Sequence, residues 1–234
     1  MGFSPKKILE KARSEGRKKL LEHESLFLCS YYDIPVPKFA IASNSAEAAE
    51  LAKKIGFPVV LKVISPDILH KSDVGGVILD IRTPEEAQEK FITILRNIKL
   101  RSPNARVEGV LIQEMLPKGL EVIVGGTRDP YFGPTVMFGV GGVFVEVLKD
   151  VSFRVAPLTL PDAEEMIRDV RGYSLFKGYR GEGPRDEAAV VDVLLKFSRL
   201  ITELEEISEA DLNPLIVYEE GRGVKVADAR FILG

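Results

Sequence analysis

Apolar positions recur along this chain with two periods, and the alternation between those periods lays out its elements. Ile8, Ala12, Leu20, Leu21 and Leu28 stand among charged residues after a Ser4-Pro5 start, which predicts a helical opening running to about Tyr32. Pro35 and Pro37 end it. Phe39-Ala40-Ile41 then predicts a short strand, and 43–55 a capped helix with Ala46, Ala49 and Leu51-Ala52 on its inner side, closed by Gly56-Phe57-Pro58. Further strands are predicted near 58–64, 76–81, 107–114, 120–126, 134–138, 142–147 and 152–156, and helices near 84–99, 160–170 and 186–204. A last pair of strands, 214–218 and 224–229, flanks Glu219-Glu220-Gly221-Arg222-Gly223. Helices set between strands, with several adjacent hairpin-like strand pairs, imply α+β layering rather than one doubly wound parallel sheet. Leu116-Pro117-Lys118-Gly119 parts two strongly apolar strands and predicts a hinge between two lobes.

Composition narrows this picture only a little. At 234 residues the chain has room for one domain or two compact lobes, and a formal net charge of -3 gives no electrostatic case for nucleic acid. The single cysteine, Cys29, cannot close an intrachain disulfide and lies in an apolar run, which fits a reducing compartment. No apolar run approaches the ~20 residues that span a bilayer. The N-terminus leads into a charged helix rather than a signal core, so the expected location is cytoplasmic, with no membrane association.

The chemistry concentrates around His70, one of two histidines, in the polar loop Ile64-Ser65-Pro66-Asp67-Ile68-Leu69-His70-Lys71-Ser72-Asp73-Val74-Gly75-Gly76. An imidazole titrates near neutrality, so it offers a nucleophilic nitrogen without further activation. Just before the loop, alternation in Val59-Val60-Leu61-Lys62-Val63-Ile64 puts Lys62 on one face with Val60 and Ile64. Two readings stand for that lysine: a partner for nucleotide phosphate, or a cation snorkelling from a strand end. Glu121 shares its face with Ile123 and either pairs with a lysine, faces water, or accepts hydrogen bonds from a ribose. Across a hairpin centred on Gly221, Asn213 and Asp228 come close together. A carbonyl and one or two carboxylates suit a partly hydrated Mg²⁺ that also binds phosphates, while helix or turn capping by Asp211 and Asn213 with a surface ion pair from Asp228 is the plainer alternative.

Other stretches are less pointed. Asp73-Val74-Gly75-Gly76-Val77 and Phe138-Gly139-Val140-Gly141-Gly142-Val143 permit close backbone approach to phosphate or simple turns, and neither matches a Walker A or dinucleotide fingerprint. Arg128 sits in an expected turn from which it could reach a phosphate, Arg154 lies inside an apolar strand where a carboxylate partner is the ordinary companion, and His23 reads as a solvated surface residue.

Taken in order, these segments resemble the ATP-grasp family, and within it the β subunits of archaeal ADP-forming acetyl-CoA (acyl-CoA) synthetases. The resemblance covers essentially the whole chain. It rests on Gly56 to Lys62, the Ser65-Pro66 to Gly75-Gly76 loop, Glu121-Val122-Ile123-Val124-Gly125, Arg128-Asp129-Pro130, Phe138 to Gly142 through Lys149-Asp150-Val151-Ser152-Phe153-Arg154, and Asp211-Leu212-Asn213-Pro214. It implies an ATP-grasp α+β fold of two lobes with the nucleotide between them. The lobes would be 41–116, with a phosphohistidine loop at 65–76, and 117–234, with the metal-binding hairpin, after an N-terminal helical segment and linker at 1–40. It also implies roles: Lys62 on nucleotide phosphate, Gln113, Glu114 and Met115 on adenine partly through backbone, Glu121 on the nucleotide, Asn213 and Asp228 on Mg²⁺, and His70 as phosphoryl carrier. The implied substrates are ADP and ATP. The implied partner is an α subunit with CoA-binding and acyl-transfer domains, in an α₂β₂ heterotetramer. Succinyl-CoA synthetase β subunits share the lobes and hairpin but resemble the chain less. Two other functions compete, an ATP-grasp carboxylate-amine ligase and a non-catalytic nucleotide-binding scaffold.

Overall fold

Both apolar periods are satisfied by the same arrangement, a twisted antiparallel sheet with helices laid on one of its faces, built twice. The computed structural model describes residues 4–68, 70–141, 149–178, 181 and 183–234. Contacts divide the chain into two units, Pro37–Leu116 and Met1–Val36 together with Pro117–Gly234. The chain therefore passes from unit to unit at Val36–Pro37 and again at Leu116–Pro117, the latter within the expected hinge.

In the Pro37–Leu116 unit, β1 (Phe39–Ala42), β2 (Val59–Ile64), β3 (Val77–Ile81) and β4 (Gly109–Glu114) form an antiparallel sheet in the order β1-β4-β2-β3. α3 (Ser45–Ile55) and α4 (Pro84–Arg101) cover one face. Each helix starts on a side-chain cap: Asn44 Oδ1 accepts from the Glu47 amide at 2.9 Å, and Thr83 Oγ1 from the Glu86 amide at 3.1 Å. Ala87, Phe91, Ile94 and Ile98 make the inward stripe of α4 and meet Val59, Leu61, Val63, Val110 and Ile112 from the strands.

The other unit holds β5 (Leu120–Asp129), β6 (Gly133–Val140), β7 (Val151–Val155), β8 (Ile207–Val217), β9 (Val224–Val226) and β10 (Ala229–Leu233). The path is β10-β8-β5-β6-β7, and β9 pairs with β8. α5 (Leu160–Asp169) and α6 (Glu187–Glu203) pack on one face through Ala163, Met166, Val190, Leu194 and Phe197. The hairpin β5–β6 is longer than the sequence predicts, because the Asp129 carboxylate accepts the amides of Tyr131 (2.8 Å) and Phe132 (2.9 Å) and so closes a turn beyond Thr127-Arg128. β8 likewise begins at Ile207 instead of Pro214: it pairs with β10 over its first half and with β9 over its second, and the proline falls where the partner changes. The strand predicted at 142–147 lies outside the described residues.

The predicted single helical opening is two helices, α1 (Pro5–Ser14) and α2 (Glu22–Tyr31), with an extended crossing between them. Gly16, at φ +67°, ends the first. Residues 18–20 then run beside β10: Leu20 donates to Phe231 O at 2.9 Å and Leu233 to Lys18 O at 2.7 Å, which covers an exposed sheet edge. Arg17 fixes this crossing. Its guanidinium binds Glu24 through two hydrogen bonds of 2.7 and 2.8 Å, both side chains being buried, and Glu24 also accepts the Leu21 amide at the start of α2. Beside it His23 corrects the expectation of a solvated residue. It is half-buried, and its Nδ1 is sealed from solvent with no hydrogen-bond partner among the described residues. Burial, the largest cause, pushes its imidazole below the ordinary value of 6.5; Lys11 and Arg17 act in the same direction, and Glu24 and Glu22 oppose them.

Two expected outcomes follow from this N-terminal packing. Glu24→Ala removes both buried hydrogen bonds from the ends of the Arg17 guanidinium and leaves it the Nε contact with Glu15, and urea unfolding should show a loss of about 3 kcal/mol. His23 binds its proton more weakly folded than unfolded. The stability of its neutral form is therefore fully present above pH 6.5 and lost as pH falls through the lowered folded value. The fall in urea midpoint from pH 7 to pH 5 should be smaller in His23→Gln than in the wild type, and an unchanged fall would show that His23 carries none of it.

Candidate functional site

The histidine loop is built by the strands on either side of it. β2 ends at Ile64 and β3 starts at Val77, and Val63 donates to Gly76 O at 2.7 Å, so the twelve intervening positions, 65–76, leave and rejoin neighbouring strands. Ser65 Oγ accepts the Asp67 amide, and Ile68 is buried at 5% exposure within the helix-side core. On the far side Gly75 donates to Ser72 O at 3.0 Å and Gly76 to Lys71 O at 2.8 Å. A Cβ at Gly76 would stand 2.6 Å from Val63 Cγ1, and Gly75 has φ +67° with Asn97 Nδ2 at 2.7 Å from its would-be Cβ. The glycine pair thus lets the loop return close against β2 and α4. Between these supports His70 is exposed.

Three side chains from outside the loop bind it. The Asp67 carboxylate accepts from the Arg106 amide (2.8 Å), Nε (3.2 Å) and Nη2 (3.2 Å). Arg101 Nη1 donates to Asp73 O at 2.9 Å, and Asn97 Nδ2 to Gly75 O at 3.1 Å.

Lys62 stands opposite Leu111 and Val77, on the sheet face turned away from α3 and α4. Val60, Ile64 and the buried Gln113 share that face, with Gln113 directly opposite Val60, so Lys62 and Gln113 are diagonal neighbours on adjacent strands. Glu114 Oε2 accepts the Lys38 amide at 3.0 Å. The amides of Glu114 and Met115 donate to Lys38 O and Pro58 O at 2.8 and 3.1 Å, so both N–H groups at this strand end are already engaged. A base meeting Glu114 or Met115 through backbone would meet their carbonyls.

The remaining candidates belong to the second unit. Glu121, Ile123, Gly125 and Thr127 alternate onto the face of β5 opposite α5 and α6, and Glu121 is exposed. Its carbonyl accepts the Gly141 amide at 2.7 Å. Asn213 and Asp228 are brought together: the Asn213 amide donates to Asp228 O at 3.0 Å, and Ala227 donates to Pro214 O at 2.9 Å. Asn213, Ile123, Gly125, Asp211 and Arg230 line a hollow of about 280 Å³ on the same open face. Asp211, expected in a turn cap, lies instead within β8 and is held by Arg230 at 2.7 Å, directly across from it in β10. Asp211 is thus engaged by Arg230, and Asn213 and Asp228 carry an amide oxygen and a carboxylate at the start and the end of this hairpin. Two protein oxygens suit a cation that keeps most of its shell for water and phosphate. No larger cluster of His, Cys, Asp and Glu suited to a metal occurs among the described residues.

Two arginines have other work. Arg128, expected in a turn from which it could reach a phosphate, lies instead within β5 and donates from Nη2 to Ile201 O (2.8 Å) and Leu204 O (3.5 Å), capping the C-terminus of α6. Arg154 pairs with Asp169 at 2.7 Å and Glu165 at 3.4 Å, the carboxylate company expected of it. One anchoring residue escaped the sequence reading of its role: the Asp150 carboxylate accepts the amides of Arg171 (2.9 Å) and Gly172 (2.7 Å), fixing the start of the 3₁₀ turn Arg171–Lys177. Its signal was slight, an acidic residue before a strand, with its partners twenty residues on.

Known proteins share this arrangement along its whole length. A family model described as an ATP-grasp domain matches residues 11–233. The β subunit of ADP-forming acetate–CoA ligase I from Pyrococcus furiosus is 50% identical over 228 residues, 97% of each chain. A structure of acetyl-coenzyme A synthetase 1 from Ca. Korarchaeum cryptofilum in complex with coenzyme A and Ca-AMPCP superimposes with a TM-score of 0.95 at 52% identity, over 99% of this chain and 100% of that one. Another structure of that enzyme, with coenzyme A and Mg-AMPPCP and its phosphohistidine segment pointing towards the nucleotide binding site, gives a TM-score of 0.87 at 49% identity over the same shares. Matched end to end in sequence and fold, the chain belongs to the ATP-grasp family, among the β subunits of ADP-forming acetate–CoA ligases.

Proposed function

We propose that this chain is the β subunit of an ADP-forming acyl-CoA synthetase of the acetyl-CoA type, and that His70 carries the phosphoryl group. The observation that carries the reading is the placement of His70, exposed at the middle of a loop whose flanks are held, in a chain that matches such β subunits from end to end. A partner α subunit bearing the CoA-binding and acyl-transfer domains forms an acyl phosphate from acyl-CoA and phosphate, and a histidine of that partner takes up the phosphoryl group. An imidazole nitrogen of His70 then attacks phosphorus, forming a P–N bond as the bond to the partner breaks. A terminal oxygen of ADP attacks in turn, the P–N bond breaks, and the imidazole leaves neutral because its other ring nitrogen keeps its proton. The sequence is reversible. An α₂β₂ assembly in the cytoplasm is the setting that fits a carrier serving two subunits.

Phosphoryl transfer asks mainly for alignment and charge neutralisation. Lys62 supplies a cation to the phosphates from the sheet face it shares with Gln113, the Gln113–Met115 strand end meets the purine, and Glu121 holds the nucleotide. Asn213 and Asp228 hold Mg²⁺, which when bound screens the phosphate oxygens.

Incubation with γ-labelled ATP and Mg²⁺ should leave an acid-labile, base-stable label on the wild type and none on His70→Asn; equal labelling of the two would sink the assignment, and no such label on the wild type would return the carboxylate-amine ligase reading. ADP titrations test the metal pair. The ratio of affinities with Mg²⁺ and with EDTA should collapse in Asp228→Ala and Asn213→Ala, by about tenfold or more. Mixing with an α chain should restore ATP formation from acyl-CoA, ADP and phosphate, which neither chain performs alone.

A further inference from the structure

The loop that carries His70 is gripped from outside on both flanks. Before the histidine, Asp67 is bound by Arg106; after it, Asp73 and Gly75 present carbonyls to Arg101 and Asn97. Asn97 and Arg101 stand four residues apart on one face of α4, and Arg106 follows in the connection to β4. None of the three is among the residues assigned to nucleotide, metal or phosphoryl group. Two of them reach main-chain oxygens, so the grip after the histidine does not depend on which side chains the loop carries, while the grip before it depends on Asp67.

We propose that Asn97, Arg101 and Arg106 are positioning residues for His70, forming a clamp that sets how readily the histidine exchanges one phosphoryl partner for the other. This rests on the relay role given to His70 above. A carrier must be still enough to align a nitrogen with phosphorus and free enough to leave, and these two demands oppose each other. Packing alone meets only the first, because withdrawing a core side chain such as Ile68 exposes apolar surface. Polar contacts at the surface meet both: they define the geometry while formed, and water replaces them at small net cost when they open. The clamp favours one orientation of the loop, so loosening it shifts the population toward the other. The two transfers of the relay must then respond in opposite senses, which general damage to the site would not produce.

The test uses the full chain with Asn97→Ala/Arg101→Ala as the main variant, Arg106→Ala as a second, and Arg101→Lys as the conservative control. Amide hydrogen exchange at Gly75 and Gly76 should quicken about tenfold or more in the double variant, with the β2 amides unchanged. Single-turnover labelling of His70 from ATP, and from the α subunit supplied with acyl-CoA and phosphate, should move in opposite directions, each by about threefold or more. Arg101→Lys, which retains a donor, should lie near the wild type. Unchanged exchange at Gly75 and Gly76, or two transfer rates lowered by the same factor, would overturn the clamp. Should the wild type take no label on His70, the relay itself fails, and the exchange measurement alone decides whether the three side chains hold the loop.

Discussion

A strand has two faces, and in both units of this protein one of them is filled by helices. That constraint arranges everything else. Leu61 and its neighbours two residues away must meet α3 and α4, so Lys62 has no choice but the other side. Val122 and Val124 face the second helical layer, so Glu121 and Ile123 cannot. Lys62, Gln113 and Glu121 thus share one property across two separate sheets: they stand on the faces that helices leave open. Slipping any of these strands by one residue would bury the charges and expose the core, which holds the register through hydrophobic burial rather than through the charged groups themselves.

The two histidines show how far environment divides one side chain's chemistry. His23 is tucked beside a buried ion pair, its Nδ1 shut away and its protonated form disfavoured. His70 is exposed on a loop whose neighbours are tied down on either side. A nucleophile needs an accessible lone pair on a nitrogen with limited wander, and only the second setting provides it.

Much of this was legible in the chain. The alternation through Val59 to Ile64 placed Lys62, the capped helix over 43–55 and the helix near 84–99 were found close to their observed bounds, and the offsets about Gly221 brought Asn213 and Asp228 together, because each depends on neighbours close in sequence. What escaped depends on distant partners. Arg128 looks like any turn arginine until α6 delivers its last carbonyls from over seventy positions away. The break between α1 and α2 has one local sign, Gly16, but the extended crossing that follows it has none, since that depends on β10, distant in sequence. Pro214 reads as a strand boundary because proline cannot donate, yet a strand can run through it where its pairing partner changes. The split of the chain into units belongs to the same class: residues ahead of Pro37 group with those beyond Leu116, a matter of packing that no local signal records.

That grouping sets an order on the protein's birth. As the chain emerges from a ribosome, every strand and helix of the Pro37–Leu116 unit is available long before β10 is made, and its antiparallel neighbours can assemble at once. The other unit must wait: residues 18–20 have their place against Phe231 and Leu233, which are translated long after them. Until then the early segment is a loose end with an apolar side, and the unit that bears His70 stands finished while β10 is still being made.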